Sequence, residues 1–511
     1  FAPIRLGCWR RIYLLAMAAL ICGFFWEMWN FFSLAQWKYT VPFVGEFKLF
    51  EMPILGFAGY LPFGLECAVI GDIVAGFVAR LSREKGARVS LGDVSAYGNT
   101  VIVIGLSVYF LLIPGLLVIN YLADPAIRGP GIPRVAWRLH RSLTRDYEPW
   151  ARQRIASQRA GALQLHDVPS TEWPMFGSVY YLWATEALQG EWEKDHSVSP
   201  EEPRVYARAA IDASIDLIMD PVHHTWVRQH WGADYLHRQN VFFRTLLIAG
   251  MTSHERLVRS GKYLPMLRDQ IDTLAAELDA SPKGVLDDYP GECYPVDVFA
   301  AVACIRRADE LLGTDHSAFA ARQLRAFKGD MLDPRGLIPY AVHATTGAHF
   351  EPSRGIGNSF ILIFARELYP DQAKGWYDLY QEHFWQERML AAGFREFPSD
   401  IPGMDWTYDV DAGPVINGYG PAANAFGVAA ARINGRFDHA YTLSAQVLAA
   451  CWPLPSGGML GPQILSNATH APYLGEACML FMLTTQPAAG VETVTGGGRP
   501  GLFYVGLLFF F

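Results

Sequence analysis

The segment DDYPGECYPVDVFAAVACI, residues 287–305, places carboxylates and aromatic side chains directly before an apolar run. Asp288 and Asp297 lie nine residues apart in it. A carboxyl group in an aromatic, poorly hydrated pocket has a raised pKa and can donate a proton near neutral pH. The crowding of Tyr289, Tyr294 and Cys293 about these acids therefore favours Asp288 and Asp297 as candidate proton donors, with structural acids in a turn and at a helix start as the alternative. The neighbours predicted to bind substrate are Tyr289, Glu292 and Tyr294.

Three other segments are rich in residues that could do chemistry. The segment TEWPMFGSVYYLWATEAL, residues 171–188, is rich in aromatic side chains and contains Tyr180. The segment 223–240 holds several histidines, of which His237 is the candidate for proton transfer, although a surface or hydrogen-bonded role is the ordinary one for each. The segment DWTYDVDAGP, residues 405–414, carries alternating acids. The substrate-binding candidates in these segments are Trp173, Phe176, Tyr181, Trp406, Asp409 and Asp411.

Metal and phosphate sites are not expected. The acids of DWTYDVDAGP lack the Gly and terminal Glu of an EF-hand loop, so a hydrogen-bonded network that orders the loop is the alternative to Ca²⁺. The histidines have no HExxH spacing, and the glycines at 496–498 do not precede a Lys-Ser/Thr pair. We therefore expect no metal and no cofactor.

The elements that must position these residues are helical. Apolar residues recur at spacings of three and four from residue 134 onward, with Gly, Pro and Asp breaks between the runs. Pro295 suits the first turn of a helix, which places Asp297 in that turn, near the positive end of the helix dipole. The segment LIPYAVH, residues 337–343, is the best strand candidate and could form a hairpin arm. The predicted helices are 134–159, 172–188, 204–219, 236–252, 263–279, 295–312, 316–329, 355–368, 372–390, 418–433, 437–451 and 473–485.

Twelve such helices predict an all-α fold of six αα-hairpins closed into an (α/α)6 barrel. An open solenoid is the rival, but it should show an internal sequence period, and none is visible. The chemistry-bearing segments precede alternate helices, so the barrel would gather them at one end. The predicted domains are a membrane region at 1–125, the barrel at 126–486, and a Gly-rich linker with an apolar tail at 487–511.

The first third of the chain predicts an integral membrane protein. Segments 12–34, 52–79 and 100–122 each reach the roughly 20 apolar residues that cross a bilayer. Three acids lie within or near these spans, either as a functional site or facing other helices and the headgroup region. They are Glu27, Glu66 and Asp72.

Charge counting predicts the orientation. Basic residues precede the first span and lie between the second and third, which puts the N-terminus in the cytoplasm and the domain beyond residue 122 on the non-cytoplasmic side. The basic run from Arg128 to Arg145 opposes this orientation, although long domains translocate largely regardless of charge. The net charge of −8 and the absence of a basic stripe exclude nucleic acid as an expected partner. Membrane lipid is the expected contact.

The soluble part resembles the linalool dehydratase/isomerase family. The resemblance covers about 169–482, and its motifs agree in order and spacing more than in identity. It implies an (α/α)6 barrel that acts on small terpene alcohols and alkenes without a cofactor, and it implies a homo-oligomer. The motifs that carry it are MDPVHHTW, LIAGMTSHERL, the segment 284–316 ending in LLGTDH, LDPRGLIPYAVHATTGAHFEP and AFGVAAAR.

The family's site residues carry over with changes. Its two active-site cysteines fall on Asp288 and Asp297, which keeps a proton-transfer pair and makes it more acidic. Its active-site tyrosine falls near Tyr180 or Tyr181. Its catalytic histidine falls near Gln239, two residues from His237.

Together these features predict a membrane-anchored lyase, isomerase or cyclase for terpenoid or prenylated compounds, acting through a carboxylic acid pair. The alternative is a glycan-processing hydrolase or lyase, because (α/α)6 barrels also host enzymes with paired carboxylates. A closed apolar pocket would favour the terpenoid, and an open polar groove would favour the glycan. A membrane-tethered binding module, with scattered and solvated acids, is the non-catalytic reading.

Overall fold

The computed structural model describes residues 9–33, 36–39, 48–81, 100–163, 167–329, 331–461, 466 and 469–510. These ranges are mostly helical with a few short strands, which confirms the predicted all-α character. The chain divides into two compact units, 1–109 and 110–511. The division lies inside the third predicted span, earlier than the domain boundary expected near residue 125.

The first unit is built on two long apolar helices, α1 (Arg10–Phe31) and α2 (Tyr60–Leu81), which pack together. Between them lie strands β1 (Lys48–Leu49) and β2 (Met52–Pro53), which pair antiparallel, and a 3-10 turn (Ile54–Gly59). A third apolar helix, α3 (Thr100–Leu122), contains one π-helical turn. The stretches Arg10–Phe31, Gly56–Gly76 and Thr100–Leu122 are each long and apolar enough to cross a membrane, as the sequence predicts.

Two of the three acids near the spans contact a neighbouring helix. The Glu27 carboxylate of α1 is fully buried and accepts hydrogen bonds from the Tyr39 hydroxyl at 2.8 Å and the Tyr60 hydroxyl at 2.7 Å. Asp72 of α2 forms an ion pair with Arg11 of α1 at 2.6 Å. Glu66 is exposed. Glu27 and Asp72 therefore join α1 to α2. This agrees with the structural alternative predicted for these acids, in which they face other helices.

The second unit contains the remaining elements. Its helices are α4 (Pro125–Arg128), α5 (Arg134–Ala156), α6 (Val168–Thr171), α7 (Trp173–Lys194), α8 (Pro203–Tyr206), α9 (Arg208–Ile218), α10 (Thr225–Trp231), α11 (Val241–Val258), α12 (Leu264–Ala280), α13 (Pro295–Leu312), α14 (Ala320–Ala326), α15 (Gly355–Leu368), α16 (Pro370–Phe384), α17 (Pro421–Ile433), α18 (Phe437–Ala450), α19 (Leu474–Thr484) and α20 (Gly501–Phe510). Its strands form antiparallel pairs, β3 (Ala341–Val342) with β4 (His349–Glu351), β5 (Trp385–Glu387) with β6 (Ala392–Phe394), and β7 (Trp406–Asp409) with β8 (Gly413–Ile416).

Six of these helices contact one another in a cycle. Helix α7 packs against α11, α11 against α13, α13 against α15, α15 against α17, α17 against α19, and α19 against α7. Helix α9 contacts α7 and α11, α12 contacts α11 and α13, and α16 and α18 contact α15 and α17 respectively. We call the six the ring helices. Helices α11 and α15 are buried along nearly their whole length.

The predicted helices agree well with the observed ones, and the differences have local causes. The helix predicted over 236–252 begins only at Val241, because Asn240 has a left-handed φ of 50° that a helix does not continue through. The helix predicted over 204–219 breaks into α8 and α9 at Ala207. Helix α13 begins at Pro295 with Asp297 in its first turn, as predicted. The predicted tail contains one further helix, α20.

Arg432 joins the ring to the segment that follows α3. Its guanidinium is fully buried and donates to the backbone carbonyls of Thr485 at 2.8 Å, Ala126 at 3.0 Å and Gly131 at 2.6 Å. Burial lowers the pKa of Arg432 to about 10, so the group stays charged at neutral pH.

We expect Arg432→Met to lower the free energy of unfolding by about 3 kcal/mol, because three buried carbonyls lose their donors. Thermal unfolding in detergent measures the effect. Arg268→Met, which changes an exposed arginine on α12, should stay within about 0.5 kcal/mol of the parent. Equal melting temperatures for the two variants would contradict the anchoring role.

Candidate functional site

Four carboxylates from three segments of the chain lie at, or in the segments just before, the N-terminal ends of ring helices. Glu172 is the residue directly before α7, and Asp297 lies in the first turn of α13. Asp288 precedes α13, and Asp411 lies in the turn between β7 and β8, which leads to α17. Charge on Asp297 raises the pKa of both Asp288 and Glu172, and charge on Asp411 raises the pKa of Asp297 and Glu172. The four carboxyl groups therefore influence one another electrostatically, and we call them the acid cluster.

Asp288 is held rigidly by the backbone. Its side chain is buried, and its two oxygens accept the N–H groups of Phe242 at 2.8 Å and Tyr294 at 2.9 Å. These bonds tie the start of α11 to the start of α13. Burial and the like charge of Asp297 raise the pKa of Asp288, whereas the two N–H donors favour its ionised form.

Asp297 has the more open surroundings. Its side chain is partly accessible, and no described residue donates a hydrogen bond to its carboxyl group. Burial, followed by the charge of Asp411, raises the pKa of Asp297 to about 8. A neutral carboxylic acid at physiological pH with a free proton is a ready proton donor.

Glu172 is a cluster member that the sequence reasoning missed. The Tyr289 hydroxyl donates a hydrogen bond to its carboxylate, across 117 positions of sequence. Burial raises the pKa of Glu172 to about 8, against the lowering effect of the Tyr289 hydroxyl. The available signal was an acid directly before Trp173-Pro174, at the start of a predicted helix.

The Asp411 side of the cluster is fixed by an ion network. The Tyr340 hydroxyl donates to Asp411 at 3.1 Å, and Arg354 lies 4.2 Å from the centre of the Tyr340 ring. Arg354 pairs with Glu396 at 2.8 Å and with Asp409 at 3.0 Å. Asp409 therefore orders the β7–β8 turn, as the loop-network alternative predicts, and does not itself belong to the cluster.

Aromatic side chains of the ring helices lie together with Tyr180. The Phe176 ring lies 4.3 Å from Tyr180 and 5.6 Å from Phe242. On its other side Tyr180 stacks on Phe481 at 5.3 Å. Four more rings contact Tyr180 or one another and belong to the same aromatic set: Trp183, Phe360, Phe364 and Phe426. The space inside the ring helices is therefore apolar and aromatic.

The adjacent residues Tyr180 and Tyr181 have opposite surroundings. The Tyr180 hydroxyl is buried and has no hydrogen-bond partner among the described residues. Burial, followed by the charges of Cys478 and Asp297, raises its pKa well above the usual value. The Tyr181 hydroxyl instead bonds Thr144 of α5 at 2.8 Å. Tyr181 thus packs outward against α5, and only Tyr180 faces the aromatic set.

The remaining predicted residues divide between the cluster and the surface. The Tyr294 ring lies 5.5 Å from the Tyr340 ring. Trp173 is half-buried at the start of α7. Glu292 is exposed and accepts from the Tyr294 hydroxyl at 3.0 Å. Trp406 is 62% exposed on β7. These positions put Tyr294 and Trp173 beside the cluster and Glu292 and Trp406 at its outer edge.

His237 is not brought to the cluster. It is exposed and pairs with Asp269 of α12 at 3.0 Å and with Asp234 at 3.3 Å. Gln239, where the resemblance places a histidine, instead accepts the backbone N–H of Asp287 at 2.8 Å. The sequence could not show which way this segment turns.

No described group of three His, Cys, Asp or Glu side chains has an arrangement that could hold a metal ion. His223 bonds Asp220 at 2.7 Å, and His224 bonds the Ile218 carbonyl at 2.8 Å. The Cys293 thiol is buried, and burial with the charge of Asp288 raises its pKa well above the usual value. The titratable groups that the site does present are carboxyl groups with raised pKa values.

The raised pKa of Glu172 predicts a pH-dependent stability. Between its ordinary value of 4.5 and about 8, Glu172 is protonated in the folded chain and ionised in the unfolded one. The folded state then binds more protons, so its stability falls as pH rises through this window. We expect the stability of the parent relative to Glu172→Gln to fall by about 5 kcal/mol between the ends of the window, at about 1.4 kcal/mol per pH unit.

Thermal unfolding measured across that pH range tests this expectation. Glu193→Gln, an exposed acid at the far end of α7, is the control and should run parallel to the parent. A Glu172→Gln curve that also runs parallel to the parent would contradict the protonated state of Glu172.

No protein-family model matches the chain, and no curated protein matches its sequence. Function is therefore inferred from the geometry and electrostatics of the acid cluster.

Proposed function

We propose that the second unit is a cofactor-independent lyase, isomerase or cyclase that acts on terpenoid or prenylated compounds by proton transfer. The observation that carries the proposal is a cluster of four carboxyl groups with raised pKa values beside an aromatic interior. The resemblance to the linalool dehydratase/isomerase family points to the same reaction class.

The acid cluster supplies protons because its members cannot all ionise together. Like charges at short range hold at least one carboxyl group protonated at neutral pH. Asp288 accepts two backbone N–H bonds that favour its ionised form, whereas Asp297 accepts none from the described residues. We therefore assign the proton to Asp297 and the ionised role to Asp288.

The reaction follows from this assignment. Asp297 donates its proton to the hydroxyl of an allylic alcohol, which leaves as water, or to an alkene carbon. The resulting allylic or tertiary cation loses a proton from a neighbouring carbon to a carboxylate, for which Asp288 is the candidate. The proton that enters and the proton that leaves balance, so neither oxidant nor cofactor is required.

The aromatic interior favours an apolar, cationic path over glycan chemistry. Faces of aromatic rings attract cations, and the Phe176 and Phe481 rings lie 4.3 and 5.3 Å from the Tyr180 ring. The buried Tyr180 hydroxyl has no described partner, so a substrate hydroxyl can provide one. A sugar would leave many hydroxyl groups unpaired against such a surface.

The fold and location are part of the proposal. We infer that the cycle of ring helices with its neighbouring helices is an (α/α)6 barrel, in which inner-helix N-termini share one end. The three apolar helices would hold this barrel at a bilayer as a multi-pass protein, with the barrel on the non-cytoplasmic side. Prenyl compounds partition into the membrane and would reach the site from there.

Assays of the purified full chain with isoprenoid allylic alcohols of increasing chain length test the function. We expect alkene formation, detected by gas chromatography, and uptake of deuterium from heavy water into the recovered substrate or product. Oligosaccharides serve as the competing panel. Cleavage of an oligosaccharide, with no conversion and no deuterium uptake in the isoprenoids, would overturn the proposal in favour of a glycan-processing enzyme.

A further inference from the structure

An apolar groove with a positively charged end lies in the second unit, apart from the acid cluster. It has a volume of about 490 Å³ and runs between the end of α3 and helix α20, which pack against each other. Ile119 and Leu122 form one wall, and Phe503 and Leu507 form the other. The guanidinium groups of Arg128 and Arg499 line the same groove.

The two arginines share one neutral partner. Arg128 donates to the Tyr441 hydroxyl at 2.5 Å, and Arg499 donates to the same oxygen at 2.7 Å. Tyr441 is buried on α18, and the Arg128 guanidinium lies 4.0 Å from the centre of its ring. The hydroxyl thereby holds two like charges close together.

Neither charge is neutralised within the part of the chain that the structure describes. Arg128 and Arg499 have no carboxylate within salt-bridge distance there, and both are exposed. Each guanidinium carries five N–H donors, of which only one in each is used on Tyr441. Two adjacent, unpaired guanidinium groups form a bidentate site for a phosphate, with which arginine forms strong charge-assisted bonds.

The surroundings decide what kind of phosphate fits. Helix α3 is one of the three apolar helices long enough to cross a membrane, and it ends at Leu122, shortly before Arg128. Helix α20 presents exposed apolar residues, with Val505 56% and Leu508 76% exposed. An apolar groove capped by cations just beyond a membrane span matches the headgroup and acyl chain of an anionic lipid.

We propose that this groove binds an anionic phospholipid, with the phosphate on Arg128 and Arg499 and an acyl chain between α3 and α20. The groove lies at the start of the basic run 128–145, whose charge opposes the predicted orientation. Lipid binding accounts for the positive charge of Arg128 without reference to the orientation of the chain in the membrane. The proposal is independent of the reaction at the acid cluster.

Native mass spectrometry and thermal unfolding of the full chain in detergent test the site. The probes are phosphatidylglycerol, phosphatidylcholine and inorganic phosphate at matched phosphate concentration. We expect phosphatidylglycerol to bind and to raise the melting temperature by several degrees, and phosphatidylcholine and inorganic phosphate to do so at least about tenfold more weakly. The double variant Arg128→Gln/Arg499→Gln should lose at least about tenfold in affinity for phosphatidylglycerol, as expected for two lost charge-assisted contacts.

Two further variants keep the test decisive. The pair Arg128→Lys/Arg499→Lys retains the charge but loses the bidentate guanidinium geometry, so its affinity for phosphatidylglycerol should lie between those of the parent and the glutamine pair. Arg268→Gln, on α12, should bind lipid like the parent. Equal binding of phosphatidylcholine, or undiminished phosphatidylglycerol binding in the glutamine pair, would overturn the site. Full protection by inorganic phosphate alone would assign it to a free anion and overturn the lipid assignment.

Discussion

Asp297→Asn is expected to lower kcat/KM for the converted isoprenoid alcohol by about 10³-fold, in the range that a general acid contributes. The amide has nearly the shape of the protonated carboxyl group but has no acidic proton to give. Because Asp297 accepts no hydrogen bond from the described residues, the variant should fold like the parent. Turnover is measured by product formation and deuterium uptake, and folding by the melting temperature.

Asp315→Asn, an exposed acid just beyond the end of α13, is the matched control and should leave turnover unchanged. The pH profile adds a second readout. A general acid with a pKa of about 8 predicts that kcat/KM of the parent falls as pH rises above that value. Full activity in Asp297→Asn, or a rate that rises through this range, would remove Asp297 from the reaction.

Tyr180→Phe is expected to move activity and stability in opposite directions. Its hydroxyl is buried without a described partner, so its removal should raise the free energy of unfolding by about 1 kcal/mol. If the same hydroxyl meets the substrate oxygen near Asp297, turnover should fall by about 10²-fold, as for other lost transition-state donors. A purely structural tyrosine would not produce this combination.

The neighbouring residue supplies the control. Tyr181→Phe removes a hydroxyl that bonds Thr144, so stability should fall by about 1 kcal/mol while turnover stays the same. Thermal unfolding and the isoprenoid assay on both variants give the comparison. A Tyr180→Phe variant that is less stable than the parent, or that is as active as the parent, would contradict the role assigned to the Tyr180 hydroxyl.

The site combines features that oppose stability. Four neighbouring carboxyl groups repel one another when ionised, and desolvation raises their pKa values. Backbone donors to Asp288 and the network of Arg354 with Glu396 hold them in place. Such an arrangement is typical of functional sites, where perturbed carboxyl groups persist because surrounding structure fixes them.

The sequence by itself determined the helices and the position of Asp297 in the first turn of one of them. Apolar spacing identified all six ring helices, four of them to within three residues at each end, because a helix buries a stripe that repeats every three to four residues. Pro295 located the start of α13, since its ring suits a first turn, and this placed Asp297 there. Three apolar spans followed from length and composition alone.

Only the tertiary structure decided which distant residues meet. The bond between Tyr289 and Glu172 joins positions 117 residues apart, and no local pattern encodes such a pairing. Tyr180 and Tyr181 are adjacent in sequence, yet a rotation of about 100° per helical residue sends one inward and the other onto α5. His237 lies at the surface, where it pairs with Asp234 and Asp269. Helical periodicity is local and readable, whereas proximity between carboxylates depends on how the ring helices pack.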